Sequence, residues 1–398
     1  MLKMMEQAEL VAGFDYYRLD DRLTDKQKAT RDRVREYVQT LVLPNINSYW
    51  ERAEFPRDLA MELANLGIVG GPLMEHGAPG LDFVEMGLVM YELAKGDGSI
   101  GTFYGVHSGL ATGSIGLLGS DEQKARWMPD MIQLKKIGAF GLTEPNHGSN
   151  AVGIQTKARR DGDSYILNGA KRWIGNASIA DILIIWGRDE EGKFGGWVLE
   201  DPQNIPGVTI NDIWGKVGKR AVLNADITLE NVRVPAENRL ENVSSFKDMA
   251  RVLGMGRYGV AWEAAGCAAG AFEHALEYAK TREQFGKPIG GFQLIQHKLV
   301  EMATEVTLMQ TLCMQLSELI SKWQMSEGMV SMAKYNNARK ARHVTGLARE
   351  IMGGNGILID NHVARLWTDA EVIYTYEGTN EINLLLVGRD LTGENAFL

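Results

Sequence analysis

Residues 162–186 read GDSYILNGAKRWIGNASIADILIIW. Short apolar runs rich in β-branched and aromatic residues lie between turn signals, which is the pattern of strands rather than of a helix. Asp161-Gly162 is a hairpin dipeptide, and Asn168-Gly169 repeats the signal. The same texture extends from about Ile137 to Pro235. DEEGKFGG (189–196) supplies another turn, and GWVLE and NADITLENVRV supply further strands. The stretch predicts a hairpin-rich antiparallel β domain.

Helical patterns flank it on both sides. Thr24 with Gln27 is a capping box ahead of QKATRDRVREYVQTLVL, and Pro44 is expected to close that run. A second segment opens near Pro56 and stops at Gly67, Gly70 and Gly71. GTFYGVHSGLATGSIGLLG (101–119) reads as a tightly packed buried helix, and Ser120 with Gln123 caps the next. Beyond Pro235, Pro-free segments at about 247–281, 291–324 and 327–352 carry apolar residues at helical spacing. In the second, Leu294, Ile295, Leu299, Met302, Val306, Met309 and Leu312 form one stripe. The expected fold is α+β, mostly α: an N-terminal helical domain (15–136), a middle antiparallel β domain (137–245) and a C-terminal four-helix bundle (246–398).

Composition narrows the function. The 398 residues are 45% hydrophobic and 23% charged, with a formal charge of −9. Such a chain buries a large core, and an acidic balance without runs of like charge argues against nucleic acid as a partner. Two cysteines, Cys267 and Cys313, make neither a disulfide framework nor a zinc cage, which suits a reducing compartment. The seven histidines lack metal-ligand spacing, so no metal is expected. MLKMMEQAEL lacks the apolar core of a secretory leader, and no run of 18 apolar residues suggests membrane insertion. The ending Asn395-Ala-Phe-Leu398 is not an SKL-type signal. The expectation is a cytoplasmic protein; a mature mitochondrial or peroxisomal form would read the same.

Gly254, Gly256 and Gly259 match GxGxxG, but FKDMARVL before them looks helical and no strand–helix alternation follows. Close helix packing or ligand approach explains the glycines better than a nicotinamide site. Four other segments carry more. FGLTEPNHGSN (140–150) offers backbone and hydroxyl donors to an anionic or heteroaromatic ligand, though an ordinary interdomain turn would look alike. KRWIGN (171–176) places a Trp beside glycine, either a core Trp or a wall for a flat cofactor. TREQFGKPIGGFQLIQ (281–296) contains Arg282, suited to a pyrophosphate or simply solvated. IMGGNGI (351–357) permits close backbone approach. IYTYEGTNEIN (373–383) sets Glu377 among Tyr374, Tyr376 and Gly378, where apolar surroundings would raise its pKa toward that of a general base; a hydrogen-bonded structural Glu is the plainer alternative.

Taken in series, TEPNHGS, TREQFG, GGNG and YEGT resemble the acyl-CoA dehydrogenase family over nearly the whole chain. YWERAEFP, KRWIGN, GGNGIL and IYTYEGT are similar to its glutaryl-CoA dehydrogenase branch and to the plant-type short-chain acyl-CoA oxidase within it. The resemblance implies a homotetramer with one FAD per subunit. It implies that Phe140, Leu142, Thr143, Gly148 and Ser149 line flavin and pyrophosphate, and that Trp173, Ile174 and Gly175 flank the ring. Arg282, Phe285, Gln293, Gly353, Gly354 and Gly356 would reach a neighbouring subunit's FAD, and Thr379 and Glu381 would touch FAD again. Ser149, Arg257, Tyr258, Tyr376 and Gly378 would meet the acyl-CoA, and Glu377 would be the catalytic base. Some relatives carry the base at the position of Gly256, so Glu377 has no rival here. The implied reaction removes the α-proton with Glu377 and a β-hydride with flavin N5, giving a trans-2-enoyl-CoA. The thioester oxygen would be held by the Glu377 N–H and a ribityl hydroxyl.

Two departures limit the resemblance. Gly101 stands where glutaryl-CoA dehydrogenase has an arginine for the distal carboxylate, so an uncharged, short acyl chain is expected over a dicarboxylyl one. Gly175 replaces a threonine common in the dehydrogenases, which bears on whether an electron-transfer flavoprotein or oxygen reoxidises the flavin. A dehydrogenase is the leading expectation. A short-chain oxidase, a glutaryl-CoA dehydrogenase, and a catalytically silent flavin- or CoA-binding scaffold are the alternatives.

Overall fold

The computed structural model of the chain describes residues 14–397. Helices come first: α1 (Asp25–Tyr37), α2 (Leu43–Arg52), α3 (Arg57–Met61), α4 (Phe83–Gly96), α5 (Gly98–Tyr104), α6 (Gly113–Leu118) and α7 (Asp121–Ile132). Both capping boxes form, Thr24 exchanging hydrogen bonds with Gln27 and Ser120 with Gln123. Pro44 does not end its helix. A widened π turn over Val38–Val42 leads straight into α2, with Pro44 in its first turn. A proline is tolerated in the first turn of a helix, where its missing N–H costs least, and Leu41 O accepts from Asn45 Nδ2 at 2.9 Å.

Residues 101–119 form the expected buried helix. A π-helical stretch, Gly105–Thr112, joins α5 to α6. Its His107 is fully buried under the first strand, accepting from Gly138 N at 2.8 Å and bonding Met131 O at 2.9 Å through the other ring nitrogen. Burial pushes its pKa down to about 4, so the ring is a neutral structural pin.

The middle is one mixed sheet: β1 (Gly138–Gly141), β2 (Lys157–Asp161), β3 (Ser164–Gly175), β4 (Ile182–Asp189), β5 (Phe194–Glu200), β6 (Val208–Asp212) and β7 (Asn224–Pro235). Four pairings are antiparallel, β2–β3, β3–β7, β4–β5 and β6–β7. Two are parallel: β1 and β2 lie end to end along one edge of β4. On β4, Ile182, Ile184 and Trp186 face the core shared with α7 and the start of the long C-terminal helix, while Leu183 and Ile185 face the opposite core. That is the period-two alternation of a sheet buried on both sides. Asp161-Gly162 makes the β2–β3 turn, but Asn168-Gly169 makes none. It lies inside β3, where a Cβ on Gly169 would stand 2.5 Å from Thr156 Oγ1. The glycine permits a close strand contact and a register shift instead.

Helices α8 (Phe246–Thr281), α9 (Gln293–Ser321), α10 (Glu327–Ile351), α11 (Val363–Thr375) and α12 (Asn380–Thr392) complete the chain. GMGRYG lies within α8, with no strand before it. Gly266 and Gly270 let α8 meet α4 backbone to backbone, since a Cβ there would come within 2.1 Å of Tyr91 O and 2.3 Å of Lys95 O. Met302, Val306 and Met309 of the expected α9 stripe are buried, whereas Leu294, in the first turn, is 80% exposed. Among the described residues no helix is long and apolar enough to cross a membrane.

Candidate active site

The loop after β1 is rooted by one buried carboxylate. Glu144 accepts from Gln155 N (2.7 Å), Thr156 N (2.8 Å), Thr156 Oγ1 (2.6 Å) and Lys171 Nζ (2.9 Å). Lys171, itself fully buried, also donates to Leu142 O at 3.1 Å, and Arg172 N donates to Thr143 O at 2.8 Å. Thus KRWIGN is the strand that fixes FGLTEP. Burial pushes the Glu144 pKa up, but its hydrogen bonds from Thr156, Gln155 and Lys171, with the Lys171 charge, together outweigh burial and hold it below the ordinary carboxylate value. Phe140 and Leu142 turn their side chains into the core, Phe140 against Trp186. Gly148 and Ser149 lie exposed on the loop.

Trp173 settles one sequence ambiguity, because it is not a core residue. It stands 49% exposed, with φ +64°, on a strand otherwise pinned from both sides. Ile174 beside it is buried, and Gly175 backs onto Val106, whose Cγ2 lies 3.1 Å from where a Cβ would be.

Val106 belongs to an accessible line on the buried helix. Thr102, Gly105 and Val106 are partly exposed between buried neighbours, at the i, i+3, i+4 spacing of one helix face. Met255, Gly256 and Gly259 are likewise open on α8. Met90 lies 3.8 Å from the Cβ positions of both Gly105 and Gly259, so the two accessible lines run side by side; the strip between them is the candidate slot.

Glu377 closes that slot. It holds φ +53° and is followed by Gly378 at φ +78°, a left-handed step between α11 and α12. Lys334 Nζ ties the turn from one side, donating to Gly378 O (2.9 Å) and Tyr374 O (3.2 Å). Asn383 Nδ2 reaches Gly378 O (2.9 Å) and Thr379 O (3.0 Å), and Thr379 caps α12. The Glu377 carboxylate rests on Gly256: a Cβ at 256 would be 2.8 Å from Oε2. Burial drives its pKa up to about 7, with Arg257 and Lys334 pulling down and Glu263 pushing up. A carboxyl so poised exchanges protons near neutral pH.

The other expected site residues fall into place unevenly. Arg257 pairs with Glu327 at 2.9 Å, and its Nε finds no partner among the described residues. Tyr258 takes a core position, its hydroxyl bonded to Phe83 O and Ser317 Oγ, so it offers a ligand no surface. Tyr376 points its hydroxyl inward to Glu263 at 2.6 Å. Glu381 is exposed in the first turn of α12. Arg282, Phe285, Gln293, Gly353 and Gly354 are exposed far from Glu377, around the end of α8 and the start of α9; Gly356 is buried against Arg349 O. Asn355 Nδ2 joins Tyr278 OH at 2.9 Å and so ties the glycine run to the end of α8. From Gly256 to Arg282 is 26 residues of helix, about 39 Å. Lys171, Lys219, Glu263 and Lys334 were not singled out from sequence. The one signal available was Glu263, a lone charge inside the apolar run VAWEAAGCAAGA.

Sequence patterns of known families match the chain in three consecutive pieces: acyl-CoA dehydrogenase, N-terminal domain, over residues 24–135; middle domain, over 139–232; and C-terminal domain, over 246–392. The chain belongs to the acyl-CoA dehydrogenase family. A probable acyl-CoA dehydrogenase of Bacillus subtilis (strain 168), YngJ, is 35% identical over 374 residues, covering 93% of this chain and 98% of that protein. A crystal structure of glutaryl-CoA dehydrogenase from Mycobacterium smegmatis superposes with a TM-score of 0.92 at 40% identity, covering 96% of this chain and 98% of that one. A second structure of a glutaryl-CoA dehydrogenase from that organism, in complex with FADH2, gives 0.93 at 35% identity over the same shares. Acyl-CoA dehydrogenases are FAD-dependent oxidoreductases that act on the CH–CH bond of an acyl-CoA, and this member has the corresponding fold. Its residues fit a flavin. Gly175 has no side chain and meets Val106 of the slot, the half-exposed Trp173 stands two residues before it on the same strand, and the loop fixed by Glu144 leaves Gly148 and Ser149 exposed as donors.

Proposed function

We propose that this acyl-CoA dehydrogenase acts on a short, uncharged acyl-CoA, with Glu377 removing the α-proton. The observation that carries the reading is Glu377 itself: an accessible but largely desolvated carboxyl, up to about 7 in pKa, held in a left-handed turn over Gly256. Bound FAD, held by Thr143, Gly148, Ser149, Trp173 and Gly175, supplies the acceptor for the β-hydride. The protein's own part is to orient and to move the proton. The slot between Thr102, Gly105, Val106 and Gly259 aligns the chain, and its apolar walls keep water from the base. Glu377 takes the α-proton as the C–H bond breaks, and neighbouring Lys334 and Arg257 compensate its charge while it is ionised.

The uncharged chain is supported by Gly101: the glycine brings no side-chain cation to pair with a distal carboxylate, and the Glu263 carboxylate lies 3.7 Å from its Cβ position. Likeness to the mycobacterial glutaryl-CoA dehydrogenase favours glutaryl-CoA as the second reading. An electron-transfer flavoprotein is the proposed acceptor, with oxygen the alternative. A homotetramer, with Arg282, Phe285, Gln293, Gly353, Gly354 and Gly356 serving a neighbour's FAD, accounts for this exposed cluster around the end of α8, where Arg282 lies about 39 Å along the helix from Gly256. Anaerobic mixing of the yellow holoenzyme with butyryl-, isobutyryl-, hexanoyl- and glutaryl-CoA tests the reading. Flavin absorbance should bleach fastest with an uncharged short chain; no bleaching with any of them overturns it.

A further inference from the structure

One end of the slot is closed by four polar side chains, Thr102, Lys219, Glu263 and Tyr376; neither Lys219 nor Glu263 has a catalytic or binding role in the reading so far. Lys219 and Glu263 form an ion pair with each side chain only 2% exposed. Lys219 Nζ has three hydrogens and meets three acceptors: Glu263 Oε1, the Tyr376 hydroxyl, and Thr102 Oγ1 at 2.7 Å. Tyr376 passes its own hydrogen to Glu263 Oε2 at 2.6 Å, and Thr102 leans toward Oε1 at 3.4 Å. The ammonium also sits 4.7 Å from the centre of the Tyr376 ring. From behind, the Lys219 backbone N–H donates to the Asp369 carboxylate. Every strong donor in the group is matched within the group, and such a closed network is rigid.

Its location matters as much as its closure. Glu263 lies seven residues, about 10 Å, along α8 from the glycine that seats Glu377. Thr102 is one helical turn from Gly105 and Val106, and Tyr376 is covalently next to the base. The Cβ position of Gly101 lies at contact distance from Glu263 Oε1, 3.7 Å, and from the Ala94 backbone, so helix α5 also packs against this group. A chain that enters with its second carbon beside Glu377 therefore runs toward this group.

We propose that Lys219 and Glu263 are the specificity-determining floor of the acyl slot, a paired and hydrogen-bond-saturated floor that stops a short chain and rejects one ending in a carboxylate. The proposal rests on the acyl-CoA reading and names its substrate class. A distal carboxylate arriving here meets the Glu263 charge and an ammonium with no donor to spare, and burying a charge in that position is costly. A methyl end displaces only water. The floor also predicts its own inversion. Glu263→Gln keeps the shape but removes the negative charge, which leaves the Lys219 ammonium with only the Asp369 carboxylate behind it and better able to receive a carboxylate from the slot side.

The experiment compares kcat/KM for butyryl-CoA and glutaryl-CoA in the FAD-loaded wild type, Glu263→Gln, and the double variant Lys219→Met with Glu263→Gln. Calorimetric Kd values for both thioesters accompany it. Wild type should favour butyryl-CoA by about tenfold or more, and Glu263→Gln should move the ratio toward glutaryl-CoA by at least about tenfold in both kcat/KM and Kd. The double variant, lacking the cation, should show no such gain. An unchanged ratio in Glu263→Gln, or an equal gain in the double variant, overturns the floor. Should the single variant fail to fold, the wild-type Kd values decide: glutaryl-CoA binding as tightly as butyryl-CoA overturns the proposal, and selective exclusion of glutaryl-CoA supports it. If wild type bleaches with butyryl-CoA, the dehydrogenase reading stands whatever becomes of the floor; if it bleaches with neither thioester, both fall.

Discussion

Gly256 and Glu377, 121 positions apart in sequence, share one small volume: a Cβ on the glycine would lie 2.8 Å from Oε2 and 2.9 Å from Cδ of the glutamate. The base is therefore seated on bare helix backbone. Gly256→Ala should push the carboxylate aside while improving helix propensity by about 1 kcal/mol. The expected outcome is an unchanged or higher Tm together with a flavin-reduction rate down by about tenfold to a hundredfold, read by stopped flow with butyryl-CoA. A variant that loses stability and keeps its rate would contradict this seating.

The pH profile follows from the same carboxyl. Its pKa lies up to about 7, and a base works only when deprotonated. Below that pH, kcat/KM should fall about tenfold per unit as the proton goes on; above it, the profile should level. Glu377→Gln should abolish this limb and lower the reduction rate by at least about 10²–10⁴-fold, with FAD still bound.

Lys334 offers a separable test. It braces the turn through Tyr374 O and Gly378 O, and its charge lowers the pKa of Glu377. Lys334→Met removes a favourable neighbour of the ionised base, so the acid limb should move to higher pH than in wild type. A purely structural lysine would lower the rate without moving the limb.

Gly175 bears on the electron acceptor. Gly175→Thr should lower peroxide formation under air, and because Val106 Cγ2 stands 3.1 Å from the new Cβ, the variant should fold better with Val106→Ala beside it. A peroxide yield that stays the same with bound flavin intact would count against a role for this glycine.

Subunit mixing tests the remote flavin contacts. Glu377→Gln and Arg282→Ala should each be poorly active alone. Co-expressed, they should regain activity, since some sites would combine an intact Glu377 from one chain with an intact Arg282 from its neighbour. Activity no greater than the average of the parents would mean that Arg282 serves its own chain's cofactor or none.

Much of the architecture was legible because its local signals agree: Thr24 with Gln27, Ser120 with Gln123, and Asp161-Gly162 each make the cap or turn their chemistry implies. Signals failed where a distant contact outweighed a local preference. Gly169 answers to Thr156 on the neighbouring strand, and Pro44 is tolerated in the first turn of α2. Glu377 could be singled out because YEGT, in series with TEPNHGS, TREQFG and GGNG, matches a family pattern; its neighbours Tyr374, Tyr376 and Gly378 alone left a structural glutamate open. Lys219 could not, since GKVGKR reads as a solvated run and only tertiary packing carries that side chain inside to meet Glu263.

Helix α8 acts as a ruler with a phase. Gly256, Glu263 and Arg282 occur along one uninterrupted rod and its cap, and each residue turns the rod by about 100°. Inserting or deleting one residue between Gly256 and Arg282 would leave both ends folded but facing different ways, spoiling either the seat of the base or the distant arginine. Length can drift freely in the exposed turn at 189–193, but within this rod only whole turns would be tolerated.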